Sequence, residues 1–175
     1  MTIAGLALLS VLNEAEFGIV DPLGAVATIL LALALSTLYA SERRWFGRLA
    51  KVGFGLLSVG WIVATVALPV AIYGPGVAFL PYLLGALVAM IGALAFGIAA
   101  LRTDAATVPR RGAWLLAAAL PFGLPFAFGF TTYVMGQGAD PWAGPMLLYG
   151  PAWIVIGRSL RQRLGEVPAT EPAPR

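Results

Sequence analysis

The chain predicts an all-α, polytopic membrane bundle of five transmembrane helices plus a short N-terminal interfacial helix. Three observations predict it. Hydrophobic residues make up 60% of the 175 positions and charged residues only 11%, against roughly 25% charged in an average soluble domain. Five long stretches carry no charge at all, and every Lys and Arg falls at one set of ends of those stretches. A soluble fold of this length has too little polar exterior to cover so much apolar side chain, so lipid takes its place.

The first element is the shortest. Residues 3–12 are apolar, but ten residues of helix rise only about 15 Å, half of a hydrocarbon core of roughly 30 Å. They read as a helix lying in the outer interface. The alternative is a sixth transmembrane helix over residues 2–20, with Glu14 and Glu16 near its outer end. No basic stretch or small-residue cleavage site marks a signal peptide.

Five spans follow: Pro22–Ala40, Val52–Tyr73, Val77–Leu101, Ala113–Met135 and Pro141–Gly157. Each approaches or exceeds the roughly 20 residues a helix needs to cross. A membrane barrel would instead alternate apolar and polar residues over about ten positions. Asp21-Pro22 and Asp140-Pro141 put a capping carboxylate before a proline, a helix-start signal. The turn Tyr73-Gly74-Pro75-Gly76 ends span two and makes a tight hairpin with span three. Residues 49–102 and 112–161 each read as inward loop, span, Gly/Pro turn and span, closing on Leu101-Arg102 and Leu160-Arg161. Residues 1–163 therefore form a single transmembrane domain, and the proline-rich stretch 164–175 a disordered cytoplasmic tail.

Charge orients the bundle. Arg43, Arg44, Arg48 and Lys51 follow span one; Arg102, Arg110 and Arg111 follow span three; Arg158, Arg161, Arg163 and Arg175 follow span five. The other side carries Glu14, Glu16, Asp21 and Asp140 and no cation. Basic loops stay cytoplasmic, so the chain is expected in a cytoplasmic (inner) membrane, multi-pass, with its C-terminus inside. The net charge of +3 then answers to insertion and to anionic membrane lipids, not to nucleic acid. Trp45, Phe46, Trp114 and Trp142 fit an interfacial aromatic belt.

Close backbone approach must supply much of the association between helices in lipid. Small residues recur at four-residue steps in three spans: Gly24, Thr28, Ala32, Ser36 and Ala40; Gly85, Ala89, Ala93 and Gly97; Ala119, Gly123, Ala127 and Thr131. These lines are expected to turn inward. Pro69, Pro81, Pro121, Pro125, Pro145 and Pro151 lie within spans, where a proline away from the first turn bends a helix. Phe122, Phe126 and Phe130 share one face of span four. They face lipid, or form an aromatic wall for a lipid-like ligand.

Reactive groups are scarce. The chain has no His and no Cys, which removes thiolate chemistry, the usual zinc sites and a Ser-His-Asp triad. No ionisable acid or base lies inside a span, against the pattern of proton relays and ion paths. The outer carboxylates would suit a hard cation only if they converged, and Asp21 and Asp140 already serve as caps. No cofactor, metal or catalytic residue is expected. Thr65 and Tyr149 are the deepest hydroxyl groups. The function expected is that of a small non-catalytic accessory or structural protein, packing against a membrane-protein partner or forming a homo-oligomer. The alternative is a carrier or binding protein for a neutral or lipid-like molecule, held by Phe126, Phe130 and Tyr149.

Overall fold

The computed structural model describes residues 17–73, 79–103, 108–130, 133 and 143–165. Among them the chain is helical and contains no strand. The order is α1 (Phe17–Glu42), a single 3-10 turn (Arg43–Trp45), α2 (Arg48–Tyr73), α3 (Phe79–Leu101), α4 (Arg110–Phe130) and α5 (Ala143–Gly165). Among the described residues, three helices are long and apolar enough to cross a membrane, over Arg48–Val70, Leu80–Leu101 and Arg110–Gly129. The segment 3–12, the Gly74–Gly76 turn, Glu14, Glu16, Asp140-Pro141, Trp142 and the tail beyond Gly165 lie outside the described residues.

α1, α2 and α5 run past the charge-free stretches at one end or both. α1 starts at Phe17, so Asp21-Pro22 lies inside the helix instead of capping it. A proline that near the start interrupts only the first backbone bonds. α2 begins within the basic loop at Arg48, and α5 continues past Gly157 through Arg158, Arg161 and Arg163. Charge-free length measures the hydrocarbon crossing, whereas the backbone stays helical until its hydrogen bonds end. Pro69, Pro121, Pro125 and Pro151 lie inside helices. Pro81 and Pro145 are the third residues of α3 and α5, first-turn positions where a missing N–H costs nothing.

The four helices α2–α5 form two antiparallel hairpins, α2/α3 and α4/α5, joined along α3 and α4. The α2/α3 contact is the most extensive in the chain, and its cause is local composition. Gly53 faces the backbone of Ala95 and Phe96, Gly92 faces Leu57, Gly60 faces Ala89, and Gly85 faces Ala64. On both helices the contact positions recur at steps of four, three and four (Gly53, Leu57, Gly60, Ala64; Gly85, Ala89, Gly92, Phe96). That spacing is the seam of a left-handed helix pair. Gly97 then brings α3 against Ala113 and Ala117 of α4, and Gly112 brings α4 against Ile156 and Ala152 of α5.

Large side chains fill the centre. Trp61, Tyr149, Phe96, Met90, Leu116 and Ile156 are each less than 2% exposed. The indole Nε1 of Trp61 on α2 donates a hydrogen bond to the Tyr149 hydroxyl on α5, and the rings lie 5.6 Å apart. That contact bridges the first hairpin to the second. α1 stands to one side, packed on α2 through Leu31, Leu35 and Leu38, all buried.

At the end where α1 turns into α2, Phe46 sits among Phe54 and Phe96 with ring centroids 5.3 and 5.5 Å away. Trp45 packs 5.5 Å from Phe96. Here the expectation of a headgroup-level belt is corrected: Phe46 is buried and plugs the end of the core. Burying a ring among three helix ends gains more contact than the interface offers. Trp114 stays exposed on the surface of α4.

Candidate functional site

The small-residue lines behave differently on each helix. On α3, Gly85, Ala89, Ala93 and Gly97 are all buried, but they do not share one partner. Residues four apart advance by about 40° around a helix, so the line winds from α2, met by Gly85, to α4, met by Gly97. On α4, Ala119, Gly123 and Ala127 are buried. On α1 the expectation is corrected: Ser36 and Ala40 are exposed and Ala32 is only half-buried, while the leucine stripe one residue back turns inward. The surroundings of Gly24 and Thr28 fall outside the described residues, as does Thr131.

Phe126 and Tyr149, two of the three residues expected to hold a ligand, differ in exposure. Phe126 is 54% exposed and Tyr149 fully buried; the Phe130 side chain falls outside the described residues. Phe122 is exposed beside Phe126, so this aromatic face of α4 points out of the bundle. Tyr149 is committed instead to Trp61, and Trp153 packs edge-on against it at 5.8 Å. Thr65 lies one turn beyond Trp61, its hydroxyl buried and without a hydrogen-bond partner.

Two features escape a reading along the sequence. One is the glycine pairing of α2 with α3. Its signal is present, since Gly53 and Gly60 are seven apart and so are Gly85 and Gly92, but a search at four-residue steps passes over it. The other is Glu42. This last residue of α1 is 3% exposed and accepts a hydrogen bond from the Trp45 indole at 2.5 Å. Its burial follows from spacing, because Leu31, Leu35, Leu38 and Glu42 make one stripe and α2 covers it.

The antiparallel order gathers charge at one end of the bundle. Arg43, Arg44, Arg48 and Lys51 stand at the α1/α2 turn, Arg102, Arg110 and Arg111 at the α3/α4 connection, and Arg158, Arg161 and Arg163 on the last turns of α5. All ten are exposed. Running from this end, a groove of about 430 Å³ separates α1 from α2. Ala32, Ser36 and Tyr39 line one side of it, and Gly55, Ser58 and Ile62 the other. Tyr39 and Phe54, with rings 5.6 Å apart, mark its basic end. Gly55 contributes open space, since a Cβ there would meet nothing within 4 Å.

Compared with known protein families, with curated proteins and with solved structures, the chain finds no match in any of the three.

Proposed function

We propose that this chain is a non-catalytic integral protein of a cytoplasmic membrane that works by packing against a membrane-protein partner or a second copy of itself. It crosses five times, with the basic end and the C-terminus in the cytoplasm and the segment 3–12 in the outer interface. α1 and the apolar part of α5 supply the two crossings beyond α2, α3 and α4. The complete segregation of Lys and Arg to one end supports the orientation.

The observation that carries the functional reading is the packed meeting of α2 and α5, made through Trp61 and Tyr149, both almost wholly buried. The specific chemistry left to the molecule is on its outer faces. There Leu30 and Leu33 of α1 and Phe122 and Phe126 of α4 present large apolar side chains. Faces of this kind meet lipid or another helix.

Extraction from the native host membrane into lipid discs, followed by mass spectrometry of whatever is recovered, tests this reading. A stoichiometric second protein or a defined oligomer is the expected result. Recovery of monomer holding a neutral small molecule would overturn it in favour of a binding protein.

A further inference from the structure

We propose that the α1/α2 groove holds one anionic phospholipid of the surrounding bilayer. An acyl chain lies along the groove, and Arg43 and Lys51 hold the phosphate at its basic mouth. The inference rests on the membrane placement proposed above and adds to it a ligand and a site.

The spacing on each helix carries the argument. On α2, Arg48, Lys51, Gly55, Ser58 and Ile62 recur at steps of three and four, so they form one stripe. On α1, Ala32, Ser36 and Tyr39 do the same, and Arg43 follows four residues on, in the 3-10 turn. The members of each stripe that line the groove are apolar or hydroxyl-bearing, and each stripe ends in exposed cations at the same end of the molecule. The site is therefore amphipathic along its length, apolar toward the membrane centre and positive at the surface. An anionic phospholipid has the complementary profile.

Length agrees. From Lys51 to Ile62 the helix rises about 16 Å, the depth of one leaflet in a core of roughly 30 Å. Tyr39 is 47% exposed and lies between the apolar wall and the cations, where its hydroxyl meets the ester level of a lipid.

The test uses the full chain in lipid discs of phosphatidylcholine doped with phosphatidylglycerol, with native mass spectrometry counting retained lipid. Recovery in carbonate-washed membranes is scored first; failure there would remove the membrane placement, and this site with it. The expected result is one phosphatidylglycerol retained in preference to phosphatidylcholine. Arg43→Gln and Lys51→Gln should each weaken its retention about fivefold, the usual weight of one surface cation. Gly55→Leu should abolish retention by filling a space that nothing else occupies. Arg158→Gln with Arg161→Gln, on α5 at the same end, should leave it unchanged. Equal loss in the α5 pair, retention surviving Gly55→Leu, or no preference for the anionic lipid would each overturn the proposal. So would a dimer that Gly55→Leu dissociates while lipid retention persists.

Discussion

Gly60 on α2 and Gly85 on α3 face each other backbone to backbone. A methyl group built on Gly60 would come within 2.5 Å of the Gly85 carbonyl oxygen, and one built on Gly85 within 2.8 Å of the Gly60 carbonyl oxygen. Neither obstacle is the tip of a flexible side chain, so neither can swing aside. The α2/α3 hairpin exists at this separation because both positions lack a Cβ.

Gly60→Ala should therefore destabilise the protein by at least about 1–3 kcal/mol, the usual cost of overpacking, although alanine is the better helix former. Gly55→Ala, with open space around it, should be neutral or slightly stabilising. Thermal unfolding in one detergent compares the two directly. Equal midpoints would refute the close contact.

Ala93 and Ser36 make a second contrast. Both belong to four-residue lines of small residues, but Ala93 is wholly buried and Ser36 exposed. Ala93→Leu should lower the yield of folded protein on size exclusion and shift unfolding to lower temperature. Ser36→Leu should leave the elution profile and midpoint near those of the parent chain.

The Trp61–Tyr149 bond links the first hairpin to the second. Tyr149→Phe removes the acceptor and keeps the ring, leaving a buried indole N–H without that partner. A double-mutant cycle with Trp61→Phe should return a coupling of about 0.6 kcal/mol, the average found for hydrogen bonds between membrane helices. A coupling indistinguishable from zero would mean that packing alone joins α2 to α5.

Orientation can be read chemically, because the chain contains no cysteine. Single cysteines at Gly47 and Arg163, both exposed and at the basic end, should react with an impermeant maleimide in inverted vesicles and resist it in intact cells. Labelling from outside would reverse the assigned topology.

Much of the fold was legible along the chain. Charge-free length marked α2, α3 and α4 within a few residues. Helix ends were less legible at Arg48 and Gly165, since a charged residue ends a hydrophobic run but not a helix. The candidate site was the least legible. Phe126 and Tyr149 are both aromatic and lie on neighbouring helices, yet one is on the outer surface and the other in the core. The α1/α2 groove depends on which stripe α1 turns toward α2, and the leucine stripe and the Ala32–Ser36 stripe differ by a single residue, about 100°.

Composition, hydropathy and charge placement are sums over one chain, so the amino-acid order alone specifies apolar helices and the end that gathers the cations. Contacts between helices are pairwise. Whether Gly85 meets α2 or α4, whether Glu42 is covered, and whether Tyr149 faces a cavity or Trp61 depend on the rotation and register of two helices at once. In a chain with glycine, alanine and leucine on nearly every face, many registers satisfy the same one-dimensional pattern. Backbone distance across Gly60 and Gly85 selects among them, and that distance exists only once both helices are in place.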